Sequence, residues 1–140
     1  MTTTTPFTFS RQLPVLDELN KPFWTGGAQG KLLISKCGAC GFLIHPPQPI
    51  CTKCKTQHPL PTAVSGRGKV LSFTINYQPW YPNLPVPFVI AVVELDDQPN
   101  LRIMTNMIAC PVDSVFIDQR VEVCFEQHED VWLPLFKPAI

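Results

Sequence analysis

Four of the six cysteines fall in one short run, Lys36 to Lys55 ("KCGACGFLIHPPQPICTKCK"), as two identical Cys-x-x-Cys steps: Cys37 with Cys40, then Cys51 with Cys54, separated by ten residues. A two-residue step lets both thiolates of a tight knuckle face one ion, and two knuckles complete a tetrahedron with metal–sulfur bonds of about 2.3 Å. A thioredoxin-type redox centre instead needs a single such motif at a helix N-terminus in a βαβ setting, which the pattern lacks. Structural disulfides belong to exported chains, and the opening "MTTTTPFTFS" has no basic-then-apolar leader. A metal site remains. Zinc is the expected ion, and iron in a rubredoxin-like site uses the same ligands at the same spacing. Four thiolates close the coordination sphere, so the metal serves as a structural clip and no catalytic residue is assigned to it. His45 and His58 flank the cysteines and read as ordinary surface histidines. Gly41 stands after Cys40, where a knuckle favours a residue without a β-carbon, whereas Lys55 takes the matching place after Cys54 and predicts a strained or differently closed turn.

The elements that must hold this clip follow from periodicity. Residues 1–12 are Thr-rich and aperiodic, a tail. Residues 13–30 form an N-terminal helical segment: Pro14 suits a first helical position, Asp17 and Glu18 suit a first turn, and Leu16, Leu19 and Phe23 keep helical spacing. Pro22 breaks or restarts the helix, so two short helices are expected, ending at Gly30. The ribbon occupies 31–64, with "KLLIS" a strand leading into Cys37 and "FLIHPP" its return. Residues 65–140 turn to β patterning after "PTAVSGRGK", whose glycines mark a turn or bulge. "KVLSFTINYQP" alternates Leu71, Phe73, Ile75 and Tyr77 against Ser72, Thr74 and Asn76; "PFVIAVVEL" is apolar throughout, a central strand. "LRIMTNM", "RVEVCFEQ" and "VWLPLF" complete five strands, the last two joined by a turn at "HED". Five strands in so short a stretch, with no helical pattern between them, suit a small antiparallel barrel such as the OB-fold. The fold class is therefore mainly β: short N-terminal helices, a rubredoxin-like zinc ribbon, then a five-stranded OB-fold barrel.

Bulk composition bounds the function. Charged residues are 16% of the chain, against about 25% in ordinary globular proteins, so the surface is short of charge and suggests a partner. Sixteen prolines in 140 residues oppose a helical bundle. No apolar run reaches the roughly 18 residues of a membrane span, and a cytoplasmic location is expected. Residues 1–64 carry a net +4 and the remainder a net −4. An acidic barrel opposes the binding of a polyanion by that half. Lys31, Lys36, Lys53 and Lys55 on the ribbon are either scattered solubilising charges or a contact for phosphates. Trp80 and Tyr81, set among prolines in "QPWYPNLPVPF", either plug one end of the barrel or present large rings to a partner. His128 with Glu129 and Asp130 looks like an acid–base set but falls in a turn, and Cys110 and Cys124 lack the neighbours of an activated nucleophile.

The run "KPFWTGGAQGKLLISKCGACGFLIHPPQPICTKC", followed by "SGRGKVLSFTINYQP", "PFVIAVVELDD", "LRIMTNM", "VEVCFEQ" and "LPLFKP", resembles the family of zinc-ribbon plus OB-fold proteins that accompany thiolase-superfamily enzymes. The resemblance spans roughly residues 20–138. It implies a non-catalytic accessory subunit of a thiolase, a related acyltransferase, or a thiolase-like aldolase that shortens CoA-linked side chains, steroids included. Such a subunit stabilises its partner and helps to bind acyl-CoA. The expected partner contact joins Phe23 and Trp24 with Trp80 and Tyr81. The family also associates with hot-dog-fold enoyl-CoA hydratases, and a nucleic-acid-binding zinc-ribbon/OB module is the alternative from a different class. "FIDQRV" departs from the family in placing Asp118 and Gln119 where a glycine turn is usual, so one of them must adopt a backbone that glycine takes more easily.

Overall fold

The structure is a computed structural model that describes residues 11–139; most of the tail expected over residues 1–12 lies outside the described residues. Over the described residues the chain is mostly β, with one short α-helix, a ribbon sheet and a closed five-stranded barrel. Among the described residues, no helix is long and apolar enough to cross a membrane.

The helical segment is shorter than its periodicity suggests. α1 spans Lys21–Thr25 and runs into a 3-10 turn, Gly26–Gln29, which Gly30 ends in the left-handed conformation at φ 70°. The expected helix beginning at Pro14 is absent. Asp17 and Asn20 account for this: the Asp17 amide donates to Asn20 Oδ1 at 2.9 Å, the Asn20 amide donates to Asp17 Oδ1 at 2.8 Å, and Asn20 Nδ2 donates to the Val15 carbonyl at 3.1 Å. These side chains capture backbone groups that a helix would have used. Pro22 fits where it lies because the first helical turn needs no donor there.

The ribbon sheet has the order β2-β1-β3, with β1 Leu32–Lys36, β2 Leu43–Ile44 and β3 Leu60–Val64. β3 overlaps the stretch whose glycines marked a turn or bulge, where no strand was expected. It pairs antiparallel with the whole of β1, Leu32 opposite Val64 and Lys36 opposite Leu60.

The barrel runs β4-β5-β6-β8-β7 and closes on itself, from β4 (Arg67–Asn76), β5 (Phe88–Leu95), β6 (Arg102–Met107), β7 (Arg120–His128) and β8 (Val131–Pro138). Two features refine the expectation. The contact of β6 with β8 is parallel, a single pairing of Met107 with Phe136, while the other seams are antiparallel. In β4 the register slips between Val70 and Ser72, leaving Leu71 as an extra residue. This bulge reverses the phase of the alternation, so Val70, fully buried, faces the core instead of Leu71. The core is continuous: Val70, Val93, Val121 and Phe136 from the barrel join Leu32 and Ile34 of the ribbon and Phe23 of α1. Each such large side chain contributes about 1.5–3 kcal/mol on burial.

Candidate metal centre

The two knuckles are built alike. The Cys37 amide donates to the Phe42 carbonyl at 2.9 Å and the Gly41 amide to the Cys37 carbonyl at 3.0 Å; in the second, Cys51 donates to Thr56 at 2.8 Å and Lys55 to Cys51 at 3.0 Å. The β1–β2 pair closes the first, and an isolated bridge between Ile50 and Gln57 closes the second. Gly41 lies at φ 77° and Lys55 at φ 69°, so the second turn adopts the same left-handed conformation, with lysine bearing the steric cost.

The sulfur atoms meet. Cys37 Sγ lies 3.5 Å from Cys54 Sγ, and Cys40 Sγ lies 3.7 Å from Cys51 Sγ. All four fall within 4.8 Å of one another. A tetrahedron with bonds of about 2.3 Å has edges of about 3.8 Å, so the space between the sulfurs fits one ion. Cys37 and Cys51 are buried, Cys40 and Cys54 exposed. Amides supply the outer shell: Ala39 and Cys40 each donate to Cys37 Sγ at 3.4 Å, and Lys53 and Cys54 donate to Cys51 Sγ at 3.4 and 3.5 Å.

Their acidities diverge as crowded thiols should. The Thr56 hydroxyl, 3.2 Å away, and then the Thr56 amide pull Cys54 down to about 6. At Cys40 the Phe42 amide pulls downward, but burial and the sulfurs of Cys54, Cys37 and Cys51 outweigh it and push the thiol up to about 11. A divalent cation removes this conflict by stabilising all four thiolates together.

The remaining predicted positions are dispersed. Phe23 is only 5% exposed, stacked edge-on against Trp24 with ring centroids 4.8 Å apart, so as the chain stands its ring serves the core rather than an outer face. Trp24 is half-buried. Trp80 is 72% exposed and donates its indole N–H to Asn76 Oδ1 at 2.9 Å; Tyr81 is 43% exposed, and neither ring plugs the barrel. His58 is exposed, as expected, but His45 is not an ordinary surface histidine. Its ring lies 4.7 Å from that of Phe23, its Nδ1 is buried without a hydrogen bond among the described residues, and burial lowers its pKa. Nothing in "IHPP" signals this, because the burial arises only when α1 folds over the ribbon. His128 Nε2 lies 2.7 Å from Glu126 Oε1, in an ion-pair cluster with Arg11 rather than with Glu129 or Asp130. Cys124 is half-buried, and burial raises its thiol pKa. Lys53 sits over the Phe42 ring, 5.6 Å from its centroid.

A four-cysteine ribbon set against a closed OB barrel defines a zinc-ribbon/OB-fold protein. Family comparison makes this specific: residues 24–57 match the ChsH2 rubredoxin-like zinc ribbon domain and residues 61–126 the ChsH2 C-terminal OB-fold domain. A DUF35 domain-containing scaffold protein of Methanothermobacter thermautotrophicus is 31% identical over 69% of this chain and 75% of its own length. The chain belongs to the ChsH2/DUF35 family. A probable enoyl-CoA hydratase alpha subunit of Thermomonospora curvata is 30% identical over 93% of this chain but 40% of its own length. The 3-oxo-4,17-pregnadiene-20-carboxyl-CoA hydratase alpha subunit of Mycobacterium tuberculosis is 35% identical over 69% of this chain and 33% of its own. This chain thus spans well under half of either hydratase subunit. Among solved structures, a chain of the Ltp2-ChsH2(DUF35) aldolase superposes with TM-score 0.81 and 29% identity, covering 91% of this chain and 100% of that one. A DUF35 protein of unknown function from Sulfolobus solfataricus shares the fold at TM-score 0.61 and 19% identity.

Proposed function

We propose that this chain is a non-catalytic accessory subunit of a thiolase-superfamily acyl-CoA enzyme, a thiolase, acyltransferase or thiolase-like aldolase acting on CoA-linked side chains, steroids among them. It stabilises that partner and helps to bind acyl-CoA. The observation that carries this reading is the superposition on a whole chain of the Ltp2-ChsH2(DUF35) aldolase. The scaffold naming of the Methanothermobacter thermautotrophicus relative supports it. In this reading Cys37, Cys40, Cys51 and Cys54 hold structural zinc, a closed site that fixes shape, and Trp24, Trp80 and Tyr81 supply the contact with the partner. Tagging the protein in its native host, purifying it gently and identifying what co-elutes tests the assignment. A stoichiometric thiolase-like protein is the expected result; elution alone, or with nucleic acid, overturns it. The hydratase-named relatives favour a second reading, partnership with a hot-dog-fold enoyl-CoA hydratase, which the same purification distinguishes by the identity of the co-eluting chain.

A further inference from the structure

Among the described residues, the barrel leaves one side of β4 without a neighbouring strand beyond Val70. β7 pairs with β4 only from Arg67 opposite Glu122 to Lys69 opposite Arg120. Val70 ends that seam, its amide donating to the Gln119 carbonyl at 3.0 Å and its carbonyl accepting from the Asp118 amide at 2.8 Å. From Ser72 to Asn76 the strand is regular and matched residue for residue with β5 on its other side. Among the described residues, no backbone hydrogen bond reaches this stretch from the open side. An antiparallel strand turns alternate N–H and C=O pairs to each flank, so a row of donors and acceptors is left for a further strand. Such edges are ordinarily guarded by lysine or proline, and "LSFTINYQ", Leu71 to Gln78, contains neither and no charge at all. The bulge at Leu71 precedes the regular part and does not interrupt it. Large apolar side chains bracket the edge: Tyr77, 66% exposed, at one end, and the exposed Phe116 and Ile117 in the turn that Asp118 bonds to Val70 at the other. The open edge of β3 differs, since Pro61 lacks a donor there.

We infer that this edge pairs with its own counterpart on a second copy of the chain, antiparallel and centred on Thr74, so that two barrels join across a two-fold axis. The residues of the edge carry the choice of occupant. Centred there, Thr74 meets Thr74 of the second copy, Ser72 meets Asn76, and Phe73 meets Ile75. Polar residues then oppose polar ones and an aromatic ring opposes a β-branched side chain, which are favourable cross-strand combinations. Ser72 and Thr74 are exposed whereas Phe73 and Ile75 pack against the core, so each face of the joined sheet stays of one kind. Because the stretch has no charge, self-pairing brings no like charges together, and a two-fold interface requires that self-compatibility. The inference goes beyond the accessory-subunit reading and does not depend on it.

Sedimentation equilibrium of the zinc-loaded full chain over a concentration series provides the test, with circular dichroism confirming that each variant is folded. A dimer is expected for the wild type. Thr74→Lys sets two ammonium groups opposite each other at the axis and should weaken dimerisation about tenfold or more. Thr74→Glu should do the same with two carboxylates, and an equimolar mixture of the two variants should restore the dimer, because unlike charges then meet. Ser72→Lys, also on the exposed face of the edge, gives a second reading should the Thr74 variants fold poorly. Met104→Lys, on β6 and away from that edge, should leave the dimer intact. A wild type that is monomeric at every concentration, a dimer that no edge variant weakens, or Thr74 variants that fail to pair when mixed each overturns the inference. A monomeric wild type whose Thr74→Lys variant also loses its co-purifying enzyme assigns the edge to a strand of that enzyme instead. Co-purification by the wild type reads the subunit assignment separately and stands whichever way the sedimentation falls.

Discussion

At the scale of single residues, the second knuckle shows how a local backbone requirement survives an unfavourable side chain. Lys55 occupies a left-handed position that costs an L-residue roughly 1–2 kcal/mol, partly offset by its ammonium donating to the Thr52 carbonyl at 3.2 Å. Lys55→Gly should therefore stabilise the zinc-loaded chain by up to about 1 kcal/mol, and Gly41→Ala should destabilise it by a similar amount. A β-carbon at Gly41 would meet only the end of Lys36, 3.9 Å away, so the cost there is conformational. Thermal unfolding of the two variants checks both signs. These positions were legible from sequence because spacing alone defines the knuckle. The turn at Asp118 and Gln119 was legible only through the family resemblance, which places a glycine there, and it is Asp118 that takes φ 70°. His45 was not, since its neighbours along the chain say nothing of the α1 ring that covers it.

At the scale of elements, a few side chains fasten ribbon, helix and barrel together. Gln98, in the β5–β6 turn, imitates a strand against the outer edge of β2: the Leu43 amide donates to its Oε1 at 2.8 Å, and its Nε2 donates to the Leu43 carbonyl at 2.9 Å. Gln98→Ala leaves both backbone groups without these partners and should cost about 2 kcal/mol, measurable by urea unfolding. Gly27 seats the 3-10 turn on the barrel, where a β-carbon would stand 2.5 Å from Trp132 Cβ and 2.6 Å from Phe125 Cδ1. Gly27→Ala should therefore destabilise by about 1–3 kcal/mol, with the N-terminal segment losing hydrogen-exchange protection first. Arg11 is tied to the barrel through Glu126. Burial pushes that carboxyl upward, but the bonds from His128 and Arg11 prevail and hold it below the usual range. A lowered folded pKa means stability present above the ordinary carboxylate pKa and lost as pH falls through the lowered value. Arg11→Ala should accordingly move the Glu126 titration upward in carboxyl-detected NMR. The five barrel strands were readable, β4 and β7 from alternation and β5 from its unbroken apolar run. β3 was hidden by Pro61 and the glycines that follow it, the phase of β4 by a bulge that no residue type announces, and the missing N-terminal helix by the reciprocal Asp17–Asn20 bonds.

At the scale of the molecule, ribbon, α1 and barrel share one apolar core, and the buried Cys37, Ile44 and Cys51 form a small cluster of their own at the clip. The first knuckle follows directly from β1, which packs Leu32 and Ile34 into that core. Zinc binding to folded knuckles is folding free energy for the ribbon. In the proposed accessory role, closing a tetrahedral thiolate site fixes the surface that meets the partner. The most direct test is native mass spectrometry of the tagged protein with its co-purifying enzyme, run beside a Cys40→Ser variant. The account predicts a heteromer carrying one zinc ion per copy of this chain, and for the variant loss of zinc together with loss of the partner. A wild-type chain found only by itself, or a zinc-free variant that assembles as well as the wild type, would contradict it.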